Sequence, residues 1–138
     1  MAHLSRKEFI ANSLLLGAGA LLLPSWRTPD KPIVMTVNGP LTTDRMGFTL
    51  THEHVMADFI GAEKYSRSRY DAKEVFDIAL PFLKDLKSKG TDTFIDCTPA
   101  YLGRDAALLK KLSNASGLNI LTTTGYYGAV NEKFVPAP

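Results

Sequence analysis

The chain has a single cysteine, Cys97, so neither an intramolecular disulfide nor a cysteine-based zinc cluster can form within it. It has only three histidines, His3, His52 and His54, and one tryptophan, Trp26. It also lacks a surplus of charge: 16 lysines and arginines stand against 14 aspartates and glutamates, a net +2. Arg6, Lys7 and Arg27 against Glu8 account for that surplus, and the residues from Asp30 onward balance. Phosphate binding needs clustered positive charge, so this composition argues against a nucleic-acid partner. Long apolar runs are missing too. The longest, Ile10 to Leu23, contains Asn12 and Ser13 and falls short of the roughly 20 apolar residues of a membrane span. Internal repeats and low-complexity tracts are absent. With 138 residues, 45% apolar and 22% charged, the chain has room for one ordinary globular domain.

What is present begins with an address. His3-Leu-Ser-Arg-Lys-Glu-Phe9 precedes the apolar run, and a positive patch followed by such a run is the layout of an export signal. The Ser5-Arg6-Lys7-x-Phe9 order resembles a twin-arginine signal with lysine in the second basic position, which leaves the general secretory route as the other reading. No clean Ala-x-Ala cleavage site stands immediately before Pro24-Ser25-Trp26. A buried N-terminal helix and a retained membrane anchor are the alternatives. Residues 1–29 are read as an export signal and residues 30–138 as the folded domain. The expected location is the periplasm or the cell exterior, with no stable membrane span once the signal is removed.

The remainder alternates strand and helix. Ile33–Val37 is a β-branched run ending at Asn38-Gly39, a hairpin turn signal. Gly47–His54 is a second extended run, and the polar stretch through Tyr70 reads as a loop. Asp71 is placed to cap a helix, with Glu74 as its capping-box partner. Val75, Ile78, Ala79, Phe82, Leu83 and Leu86 then recur at helical spacing, with Pro81 expected to kink the helix and Gly90 to end it. Thr91–Thr98 is a strand, Asp105–Ser116 a helix stopped by Gly117, and Leu118–Thr124 a further strand. Lys84, Lys87 and Lys89 read as a solvated helix face, Cys97 as a buried small residue in mid-strand, and Arg104-Asp105 as a helix cap. Alternating strands and helices predict a parallel sheet with right-handed crossovers. A closed (β/α)8 barrel needs about 250 residues, and about three strand–helix units fit here at ~30–35 residues each. An open three-stranded sheet leaves an apolar edge exposed.

Most of the chemistry lies in Thr51-His52-Glu53-His54, at the C-terminal end of a predicted strand. Side chains at i and i+2 of a strand point the same way, so two imidazoles there can converge on one divalent ion, with Thr51, Glu53 and Val55 on the other side. Two ligands do not complete a zinc site. Asp58 and Asp96 are the available carboxylates, and spacing places neither; Asp96 also reads as a hydrogen-bond acceptor at the sheet end. A surface or loop His-x-His without a metal is the alternative reading of the pair.

Several blocks stand in a telling order. They are Val37-Asn-Gly-Pro40, Gly47-Phe-Thr-Leu-Thr-His-Glu-His54, Phe94-Ile-Asp-Cys-Thr-Pro99, Gly103-Arg-Asp105, and Gly117-Leu-Asn-Ile120 followed by Thr124-Gly-Tyr-Tyr127. Together they resemble the opening of the phosphotriesterase family of the amidohydrolase superfamily, over most of residues 33–135. The resemblance implies an N-terminal part of a (β/α)8 barrel of the metal-dependent hydrolase type. In the complete parent it implies two divalent metals, usually zinc, at the barrel's C-terminal mouth, with His52 and His54 as first-strand ligands. The other ligands it implies are a carboxylated lysine, two more histidines and an aspartate, all on later strands. The implied chemistry is hydrolysis of lactones, carboxylic esters or organophosphate triesters by hydroxide held between the metals. Tyr126 matches a pocket-wall position, with a structural aromatic as the equal alternative. A homodimer is compatible with the family. The chain is thus expected to be an N-terminal portion, inactive alone; the rival readings are a non-catalytic exported binding module and a decayed remnant.

Overall fold

The computed structural model describes residues 31–138 and, before them, Lys7 alone. The export signal expected over residues 1–29 therefore lies outside the described residues. The turn signal at Asn38-Gly39 does close a hairpin: β1 (Ile33–Thr36) and β2 (Gly39–Thr42) pair antiparallel, with Thr36 opposite Gly39. The Thr36 hydroxyl donates to the Gly39 carbonyl at 2.8 Å, and the Asn38 amide donates to that hydroxyl at 3.1 Å. Just past β1, the Val37 amide donates to the Ile120 carbonyl at 2.9 Å, and Asn38 Nδ2 donates to Ser113 Oγ at 2.9 Å.

Three further strands, β3 (Thr49–Glu53), β4 (Thr93–Asp96) and β5 (Asn119–Thr122), form a parallel sheet with β4 in the middle. Parallel neighbours cannot be joined by a tight turn, so each return runs through a helix. The returns are α1 (Ala72–Ser88) and α2 (Ala106–Ser116). The polar stretch before α1 contains two short 3-10 turns, Ala62–Lys64 and Arg67–Arg69.

Both helices start and stop where side-chain chemistry dictates. Asp71 caps α1 by accepting from the Lys73 and Glu74 amides. Pro81 removes one hydrogen bond of α1, yet the helix continues to Ser88 with the ring on its exposed side. After the Lys89 cap, Gly90 takes φ 96°, its amide donates to Lys87 O at 3.1 Å, and the Thr91 amide donates to Leu86 O at 3.1 Å. This pair of hydrogen bonds back to the last turn requires a left-handed residue at position 90. A Cβ at Gly90 would meet no atom within 4 Å. Gly90→Ala is therefore expected to cost only the backbone penalty, about 1–2 kcal/mol, read as a lowered urea midpoint with unchanged slope.

The core lies between sheet and helices: Leu83 of α1, Phe94 of β4, Leu108, Leu109 and Leu112 of α2, and Leu118 and Ile120 at β5. Leu50, Phe94 and Ile120 are aligned across the three strands, which is how β3 joins this core. At the open side of β3, His54, Val55 and Met56 flank a groove with Ile78 and Phe82 of α1. Both of those α1 side chains are exposed, an apolar strip on the helix beside the edge strand.

Some expectations change. The strand around Cys97 ends at Asp96, so Cys97 is half-buried beyond it, with Sγ 3.7 Å from the Thr51 carbonyl. Arg104 does not cap α2; it reaches across to donate to the Thr123 carbonyl, and Asp105 alone is the cap. Of the three lysines, Lys84 and Lys89 do lie at the solvated face, Lys89 pairing there with Asp85 at 2.6 Å, while Lys87 is half-buried and pairs with Asp92 at 2.8 Å.

Candidate metal centre

His52 is in the last turn of pleat of β3 and His54 just beyond it. Both are exposed, and their ring centroids lie 5.3 Å apart, edge to face. Their shared face is set by an irregularity. Leu50 pairs with Phe94, but Glu53 pairs with Asp96, so β3 carries one residue more than β4 over that interval. Such a bulge resets the two-residue alternation of side chains. Leu50 and Val55 both pack against the helix-side core, although their odd separation would put them on opposite faces of a regular strand. His52 and His54 would by strict alternation follow Leu50 toward the helices. The bulge turns them out of that core. It also breaks the expected grouping of Thr51 with Glu53 and Val55, because Thr51 is exposed while the other two are half-buried.

The surroundings of His54 are ordered. Its Nδ1 lies 2.9 Å from Thr98 Oγ1. Thr98 Oγ1 lies 3.0 Å from Asp96 Oδ1 and 3.2 Å from the Met56 carbonyl. Asp96 Oδ1 accepts from the Val55 amide at 3.0 Å. Asp96 is 1% exposed, and burial pushes its carboxyl above the usual carboxylate range against the opposing pull of the Val55 amide, the Thr98 hydroxyl and the nearby His54. Asp96 is thus a hydrogen-bond acceptor at the sheet end. Asp58, the other carboxylate considered, is occupied elsewhere: Arg69 Nε donates to it at 2.7 Å and the Ile60 amide at 3.1 Å. The Arg69 guanidinium holds the Asp58 carboxyl below its usual range.

Tyr126 is exposed and sits 5.9 Å, centroid to centroid, from Tyr101, which lies 6.0 Å from Tyr65. Tyr101 and Tyr65 escape a reading of the sequence because no periodicity links them; Tyr101 holds φ 62°, an uncommon backbone state for a bulky residue.

Two imidazoles on one face, with one ring tethered through Nδ1, are donors suited to zinc or a similar divalent cation. No group of three or more histidines, cysteines or acids is gathered among the described residues. The donor set fits half of such a site.

Comparison with known proteins agrees with this geometry. The model of the phosphotriesterase family matches residues 32–137. A phosphotriesterase homology protein from Mycobacterium tuberculosis is 37% identical over 98 residues, 70% of this chain and 30% of that protein. The aryldialkylphosphatase of Saccharolobus solfataricus is 33% identical over 89 residues, 64% of this chain and 28% of its own. Among solved structures, a substituted variant of the organophosphorus hydrolase from Deinococcus radiodurans superposes with a TM-score of 0.63 at 31% identity, over 72% of this chain and 30% of that one. An organophosphate-hydrolysing protein engineered from a weak promiscuous lactonase gives 0.60 at 32% identity, over 68% and 29%. The chain spans about 30% of the length of these relatives. It belongs to the phosphotriesterase family, and residues 31–138 are the N-terminal part of that family's (β/α)8 barrel.

Proposed function

We propose that this chain carries the first-strand ligand pair of a metal-dependent hydrolase acting on lactones, carboxylic esters or organophosphate triesters. The observation that carries the reading is the His52–His54 pair, turned out of the core by a bulge at the C-terminal end of a barrel strand, where barrel enzymes place their active sites. The relatives' names supply the substrate classes: an aryldialkylphosphatase, an organophosphorus hydrolase and a lactonase template.

In this reading His52 and His54 hold one zinc-like cation of a binuclear site. When bound, such an ion supplies Lewis acidity and lowers the pKa of water. Tyr126, tilted 38° against Tyr101, offers an aromatic wall to the apolar substituents of a small ester. Two imidazoles leave the coordination shell unfinished, so this chain by itself is proposed to be inactive until later strands supply the remaining ligands. The Arg6-Lys7 patch and the apolar run after it support export.

Zinc titration of the metal-free chain tests the reading. Binding is expected to weaken at least about tenfold when both histidines are replaced (His52→Ala with His54→Ala), with no hydrolysis of a lactone or an aryl phosphotriester by either form. Zinc affinity unchanged in the double variant, or turnover that survives it, overturns the reading.

A further inference from the structure

With Asp96 ionised, the hydrogen-bond network behind His54 has a proton count that points to one arrangement. Thr98 is 1% exposed, so its hydroxyl must satisfy itself within the protein. That hydroxyl has one proton to give and lone pairs to receive. Three groups surround its oxygen: Asp96 Oδ1 at 3.0 Å, the Met56 carbonyl at 3.2 Å and His54 Nδ1 at 2.9 Å. The Met56 carbonyl can only accept. Asp96 Oδ1 takes the Val55 amide at 3.0 Å and, as a carboxylate, is a second acceptor for the Thr98 hydroxyl. Two acceptors therefore compete for the single hydroxyl proton before the imidazole is counted. An unprotonated Nδ1 would be a third acceptor and would set its lone pair against that of the threonine oxygen. A protonated Nδ1 donates to the oxygen and completes the network.

We propose that Thr98, anchored by Asp96 and the Met56 carbonyl, is a positioning residue that fixes His54 as the Nδ1–H tautomer and leaves Nε2 as its only donor atom for a divalent cation. The part concerning the cation rests on the function proposed above; the tautomer does not. Asp96 serves both halves of the device. Through the Val55 amide it holds the backbone next to His54, and through the Thr98 hydroxyl it holds the ring. Two points of attachment leave the imidazole little freedom, which is what a ligand needs if it is to bind without reordering.

The test uses the whole metal-free chain at a pH where the imidazoles are neutral. Long-range proton–nitrogen NMR correlations report the tautomer of each ring directly. The wild type and Thr98→Ser are expected to show His54 protonated on Nδ1. Thr98→Val, which keeps the shape and loses the hydroxyl, is expected to move the proton to Nε2. Zinc affinity should fall about ten- to a hundredfold in Thr98→Val and stay within a few-fold in Thr98→Ser. A wild-type His54 protonated on Nε2 overturns the proposal, and so does a folded Thr98→Val variant with the wild-type tautomer. If the valine variant does not fold, the wild-type and Thr98→Ser spectra decide. A tautomer that responds as expected in a chain whose zinc binding ignores His54→Ala upholds the role of Thr98 and overturns the metal reading instead.

Discussion

Leu112→Ala is expected to abolish cooperative unfolding of the chain. Leu112 is 0% exposed, on the face of α2 that meets β4 and β5. Removing a fully buried leucine side chain costs about 2–5 kcal/mol, from lost transfer energy plus the cavity left behind. Ordinary domains hold about 5–15 kcal/mol in total, and this one has less to spare. Among the described residues, the cluster between sheet and helices holds seven buried apolar side chains, while Ile78 and Phe82 of α1 remain in water. Urea titration followed by far-ultraviolet circular dichroism checks the expectation. The variant should show a broad, early transition or none, and a midpoint equal to wild type would refute it. Phe82→Ala is the control: at 69% exposure its truncation should change stability by less than about 0.5 kcal/mol.

Asp105→Ala should be nearly as damaging, by a different route. The Asp105 carboxylate caps α2, accepting from the Ala107 amide at 3.0 Å and the Leu108 amide at 3.1 Å on one oxygen. Its other oxygen takes the Tyr70 hydroxyl at 2.7 Å, and Arg67 lies 3.9 Å away. Loss of a cap costs about 0.5–2 kcal/mol. The Tyr70 hydroxyl left without its acceptor adds about 1–3 kcal/mol, for a total near 3 kcal/mol. Asp105→Asn keeps a capping oxygen and should cost about 1 kcal/mol. The pH dependence separates the two variants from a mere packing defect. Burial alone would push the Asp105 carboxyl up, but the Tyr70 hydroxyl, the Leu108 and Ala107 amides and Arg67 outweigh it and hold the group below its usual range. The unfolded chain then binds the proton more readily than the folded one, so stability rises with pH. The contribution is fully present above about pH 4, the ordinary aspartate value, and is lost as pH falls through the folded value. The stability gap between wild type and Asp105→Asn should therefore close in acid. A gap that stays constant across that range would show that the charge is not what matters.

The helices were the easiest part to read. Asp71 and Asp105 as caps, Gly90 and Gly117 as stops, and the apolar spacing between them are local signals, because a helix satisfies its backbone within its own segment. The hairpin was legible for the same reason. Cys97 and Arg104 carry no such local signal, because their roles depend on neighbours distant in sequence: the end of β4 is set by its pairing with β3 and β5, and the acceptor of Arg104 is a carbonyl beyond β5.

The sequence by itself determined the order of elements, the family, and the His52-x-His54 pair at the end of a strand, since each is written in composition, spacing or motif. The tertiary structure decided which way those histidines face. Alternation counted from Leu50 would have sent them into the core; one extra residue in β3, visible only against β4, turned them out. It also brought Thr98 and Asp96, 44 and 42 positions along the chain from His54, behind one imidazole. A parallel sheet places side by side the ends of strands separated by a whole helix, and no local pattern encodes which side chains will meet there.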